Sequence, residues 1–70
     1  MIRLTFDILA VHHIVLERIK QCHMTIVEIE AHGPYMVVVV RAEDESVEDC
    51  FVMMMENASE EINLDNIEYI

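Results

Sequence analysis

Four histidines and two cysteines are the residues of this 70-residue chain best suited to hold a metal or to act as acid, base or nucleophile. They are His12, His13, His23, His32, Cys22 and Cys50, and their spacing argues against a shared centre. His12 and His23, on one helix, would stand about 16 Å apart at a rise of about 1.5 Å per residue, too far to share an ion. Cys22-His23 gives a ligand pair only where His32 or Cys50 folds back beside it, and no C-x2-C or H-x3-H spacing occurs. Both cysteines are expected reduced and buried, Cys50 on an apolar helical stripe where a thiol is inert. With Gly33 as the only glycine, a Gly-rich phosphate cradle is excluded. Carboxylates are plentiful, but none pairs with a recognisable nucleophile or base. The expectation is a non-enzymatic protein with no catalytic residues, no metal site and no cofactor.

The carboxylates carry the strongest signal. Fourteen Asp and Glu oppose four Lys and Arg, for a formal charge of −10. Residues 1–42 are neutral, with Asp7, Glu17, Glu28 and Glu30 balanced by Arg3, Arg18, Lys20 and Arg41. Residues 43–70 contain the other ten acids and no Lys or Arg. Direct nucleic-acid binding is therefore not expected, because it rests on cations neutralising phosphates. The acids instead match the charge of about 17 Å of duplex, at one charge per about 1.7 Å of axis. A rigid helix and loop carrying them would be a decoy for a basic groove, found faster through long-range attraction. Met53 and Val52 point toward this acidic side, and apolar residues ringed by polar ones suit a protein interface. The candidate partner-binding residues are Glu43, Asp44, Glu45, Glu48, Asp49, Met53 and Glu56. The plainer reading is a solvated face that keeps an apolar protein in solution.

The elements that position these residues follow from periodicity. Ile2, Leu4, Phe6 and Ile8 alternate with polar residues as a strand does, and Asp7 is placed to cap a helix. From Ile8 to His23, Ile8, Val11, Val15, Ile19 and Cys22 recur at three- and four-residue steps, with His13, Glu17, Lys20 and Gln21 opposite. Thr25, Val27, Ile29 and Ala31 alternate with Ile26, Glu28 and Glu30 as a second strand. His32-Gly33-Pro34 reads as a turn. Tyr35 to Ala42, with four consecutive valines, reads as a central strand covered on both faces. Ser46 is placed to cap a second helix, with Asp49 as its capping-box acid. The helix has an apolar stripe of Val47, Cys50, Phe51, Met54, Met55 and Ala58, although residues 48–57 are apolar enough to compete as a strand. Ile62, Leu64, Ile67 and Tyr69 form a last strand, with a bulge at Asp65-Asn66.

The order β-α-β-β-α-β predicts one ferredoxin-like α+β domain over residues 1–70, an antiparallel sheet with two helices on one face. Strands one and three should be central, and the glutamates of edge strand two should deter unwanted pairing. A composition 54% hydrophobic excludes disorder and leaves apolar surface that favours self-association, so a homodimer is an expectation. Arg3 and Asp7 interrupt the N-terminal stretch and no small-residue cleavage site follows, so no signal peptide is expected. No apolar run approaches the roughly 20 residues of a membrane span, and a cytoplasmic location is expected.

The stretch Gly33-Pro34-Tyr35-Met36-Val37-Val38-Val39-Val40-Arg41-Ala42-Glu43-Asp44, followed by a helix and a short strand, resembles the second half of small ferredoxin-like regulatory modules. These include the effector-binding domains of Lrp/AsnC-type regulators and the GYD family, in which a Gly-x-Tyr-Asp turn enters a buried strand. Met36 stands where that Asp is usual, and residues 1–28 carry no matching motif. The resemblance implies the fold, a sheet-to-sheet dimer and, as the alternative function, an oligomeric ligand sensor with its site near Tyr35. Asp44-Glu45-Ser46-Val47 also resembles the Glu-Ser-hydrophobic signature of phage inhibitors of uracil-DNA glycosylase, which are small acidic DNA mimics.

Overall fold

β1 (Ile2–Asp7) turns its alternation into two faces. In the computed structural model, which describes residues 1–7 and 12–70, Ile2, Leu4 and Phe6 are sealed while Arg3, Thr5 and Asp7 are half-buried on the other side. α1 (His12–Gln21), β2 (Thr25–His32), β3 (Tyr35–Arg41), α2 (Glu45–Asn57) and β4 (Leu64–Tyr69) follow. The four strands form one sheet in the order β2-β3-β1-β4, antiparallel at every seam. The valine strand is central, as its composition predicts, but the described residues cover it on one face and not on both, and β2 and β4 are the edges.

Residues directly opposite one another on paired strands share a face. Ile2 lies opposite Val40, Leu4 opposite Val38 and Phe6 opposite Met36. Val15 and Ile19 of α1 join Phe51 and Met55 of α2 in one cluster with these strand residues. Both helices therefore cover the same side of the sheet. Full burial of a side chain such as Phe51 contributes about 1.5–3 kcal/mol. Among the described residues no layer covers the opposite face. Val39 is nevertheless only 7% exposed there, and Val37 is half-buried, screened by neighbouring side chains alone.

Two helical segments close without glycine. After α1, His23 takes a left-handed φ of 55°; its N–H donates to Lys20 (3.0 Å) and that of Met24 to Ile19 (3.0 Å). Asn63 (φ 49°) repeats the pattern, donating to Glu60 (3.4 Å) while Leu64 donates to Ser59 (2.9 Å). These are Schellman closures, the first clamped by contact between buried Met24 and Ile19. Gly33 (φ 59°) precedes Pro34, whose ring fixes φ near −65°, and those signs make the β2–β3 hairpin a type II′ turn.

Several expectations are corrected. Asp44, not Ser46, is the N-cap of α2: its Oδ1 accepts the Ser46 N–H and hydroxyl, each at 2.8 Å. Aspartate caps as well as serine and adds a charge that the helix N-terminus favours, so α2 begins one residue before Ser46. Asp49 then lies too far along the helix to serve as a capping-box acid. Residues 48–57 are helical. Cys50 is exposed and Cys22 half-buried, both free, because the buried stripe of α2 centres on Phe51 and Met55. Val52 packs against the core rather than on the acidic side. In β2 a register shift between Ile26 and Glu28 breaks the expected alternation, so Ile26 and Ile29 share the helix side. The β4 bulge falls at Asp65, where expected. The Asp7 cap and the stripe positions Ile8 and Val11 depend on residues 8–11, which lie outside the described residues.

A left-handed backbone costs an ordinary L-residue about 1–2 kcal/mol and glycine little. The His23 closure therefore predicts a stability order of His23→Gly above wild type and wild type above His23→Val, with steps of about 1 kcal/mol. Urea unfolding of the three proteins measures it.

Candidate functional site

The candidate residues divide by the work their carboxylates already do. Glu43, Asp44 and Glu45 lie at the entry to α2, and Glu48, Asp49, Met53 and Glu56 follow at helical spacing along it. Glu45, Asp49, Met53 and Glu56 fall roughly opposite Phe51 and Met55, so sealing those two turns the others to water. Met53 is 67% exposed, the most open large apolar side chain among the described residues.

Glu48 departs from this display. Its side chain is only 12% exposed, accepts the Ala42 N–H at 3.3 Å and lies 3.6 Å from the Met1 ammonium. It ties α2 to the end of β3. Asp44 is engaged as the cap, and the Ser46 N–H and hydroxyl hold its carboxyl below the usual range. Asp49 accepts the phenol of Tyr69 at 2.7 Å, joining α2 to edge strand β4. Glu43, Glu45 and Glu56 make no hydrogen bond or ion pair among the described residues. The acidic display thus rests on Glu43, Glu45 and Glu56, with Asp49 beside them.

Two concavities flank α2. A groove of about 450 Å³ between the helices is lined by Cys50, Met53, Met54, Asn57 and Ala58, with Arg18 and Glu61 across its rim, 3.9 Å apart. A wider cleft of about 600 Å³ brings Cys22, His23 and Arg41 toward Glu43 and Asp44. Burial pushes the Cys22 thiol up, which keeps it protonated and a poor nucleophile. Among the described residues no group of three His, Cys, Asp or Glu side chains could hold a metal ion. No helix of the described residues is long and apolar enough to cross a membrane.

A second acidic cluster escaped the candidate set. Glu30 accepts from His32 Nε2 at 2.6 Å on the uncovered face of β2, with Glu28 beside it. Hydrogen bonding to Glu30 raises the Glu28 carboxyl, and the same contact, with that from His32, lowers Glu30. The period of two in Glu28, Glu30 and His32 was the available signal.

No protein-family model, curated protein sequence or solved structure matches the chain.

The Tyr69–Asp49 bond gives the region a titration signature. The hydrogen bond to Asp49, more than burial, pushes the Tyr69 phenol from 10.0 up to about 12. A raised folded-state value means that its stabilisation is complete below the ordinary phenol range and is lost as pH climbs toward about 12. In a spectrophotometric phenol titration, Asp49→Asn should bring that phenol back toward 10.0.

Proposed function

We propose that this chain is a small, acidic, non-enzymatic binding module of ferredoxin-like topology that docks on a basic surface of another protein. The observation that carries the reading is the charge division: a neutral half supplies most of the core, and residues 43–70 hold ten carboxylates and no Lys or Arg. Glu43, Glu45 and Glu56 supply the free charge, Asp49 and Tyr69 a rigid polar edge, and Met53 an apolar contact beside them. Met adapts its shape to irregular partner surfaces at low strain. The helix fixes the backbone that carries Glu45, Asp49 and Glu56, so only their side-chain rotamers remain to be ordered on binding.

The kind of basic partner that best fits is a nucleic-acid-binding groove, for which the acids replace phosphates, making the module an inhibitor or decoy. Such association is dominated by long-range charge. Its rate falls steeply as the screening length shrinks from about 10 Å at 0.1 M salt to about 3 Å at 1 M. Phosphate-like display does not demand a pocket, and it tolerates the shallow concavities around α2.

The test is charge reversal at positions that make no hydrogen bond or ion pair among the described residues. Glu45→Lys with Glu56→Lys should keep the fold, at a cost of at most about 1 kcal/mol for the Lys at the helix N-terminus, and lose about tenfold or more in affinity for a basic DNA-binding protein. Wild-type chain should also displace DNA from that protein. Affinity unchanged by the double reversal, or undiminished in high salt, would reject the reading.

A further inference from the structure

The eight residues of β2 are all exposed, unlike any other strand. Met1 and Ile70 exchange backbone bonds, Ile70 N–H to Met1 at 2.9 Å and the Met1 ammonium to Ile70 at 3.4 Å. Bonding directions alternate along an antiparallel ladder. Odd residues of β1 therefore bond toward β4, and even residues of β1 bond even residues of β3. Tyr35, Val37 and Val39 turn to β2, where they meet His32, Glu30 and Glu28. The N–H and C=O groups of Ile29 and Ala31 point outward from the sheet. Among the described residues they form an unpaired edge, flanked by Ile26 at 44%, Val27 at 49% and Ile29 at 44% exposure.

Behind the edge, on the uncovered face, lies a hollow of about 250 Å³. Its floor is Val37 and Val39, and Glu28, Glu30 and His32 stand on the rim toward β2. Arg3 stands on the far rim, with its guanidinium held by Glu68 at 2.7 Å. An aliphatic floor with carboxylates at its lip fits a Lys or Arg side chain, whose stem packs on apolar surface while the head seeks charge.

We propose that the β2 edge is a docking site for an extended segment of another protein in which Lys or Arg alternates with aliphatic residues. The segment adds as a fifth strand by bonding to Ile29 and Ala31. Its basic residues meet Glu28 and Glu30 on the hollow side, and its aliphatic residues meet Ile29 and Ile26 on the helix side. A second copy of the chain is the wrong occupant. An antiparallel β2–β2 seam centred on Glu30 or Ile29 would set Glu30 against Glu30, or Glu28 against Glu30, at the close separation where like charges repel. One centred on Ala31 avoids this only by running Ile29 onto the Gly33-Pro34 turn, which shortens the seam to residues 30–32. This site shares with the reading above only the sign of the partner's charge. It lies on the β2 edge, whereas α2 is joined through Asp49 to β4 on the other edge.

The probe is a synthetic peptide of alternating lysine and valine, compared with a block isomer of the same composition and with a version N-methylated along one edge. Calorimetry should show binding of the alternating peptide, and the block and N-methylated versions should each lose about tenfold or more. Amide signals of Ile29 and Ala31 should shift on binding. Glu28→Lys with Glu30→Lys should abolish binding, whereas Glu45→Lys with Glu56→Lys should leave it intact. Equal binding of the block isomer, retention by the N-methylated peptide, or loss only with the α2 reversals would overturn the proposal. So would dimerisation of the free chain through β2 at neutral pH, seen by light scattering.

Discussion

The structure depends on the double pairing of β1. This six-residue strand bonds β3 on one side and β4 on the other, and its even-numbered residues carry the centre of the core. A chain this short must bury its apolar side chains economically, since a domain near this size hides only about 60% of its unfolded surface. Placing β1 and the valine strand side by side puts Ile2, Leu4, Phe6, Val38 and Val40 under two helices at once. Among the described residues nothing covers the second face, and the character of the exposed surface follows from that.

The uncovered parts carry acidic residues among exposed apolar ones. On α2 the free carboxylates stand opposite the sealed Phe51 and Met55, so the residue pattern that builds the core also orients the charge. On β2 the glutamates occupy the uncovered face while isoleucines lean toward the helices. Charge of one sign on an open edge keeps identical copies apart and leaves the edge available to an opposite charge. On the proposals made above, avoidance of self-pairing and attraction to a basic partner are two consequences of one placement.

Much of this was legible in the residues. Period-two alternation located β1, the continuous valines located an inner strand, and Phe51 with Met55 gave α2 its phase against a strand reading. What stayed hidden was information carried by neighbours rather than by residue type. Asp44 and Ser46 are both good caps, and only the backbone at Asp44 decides between them. The left-handed residues His23 and Asn63 lack the glycine that usually marks such a closure, and tertiary burial of Met24 enforces the first. One extra residue near Val27 reassigned the faces of β2 and with them the meaning of Ile26. The site was legible in the same partial way. Its charge could be counted in advance, but Glu48 and Asp49 proved to be tied to Ala42 and Tyr69, and the β2 cluster was assigned only a passive role.

The measurement that bears most directly on this account is residue-resolved amide hydrogen exchange on the free chain at neutral pH. A one-sided sheet with an open β2 edge predicts alternation along β2, with Ile29 and Ala31 exchanging fast and Glu28 and Glu30 protected by β3. β1 and β3 should be slowest throughout. Uniform protection of Ile29 and Ala31 would mean that the edge is already paired, contradicting the claim that its acidic residues hold it open.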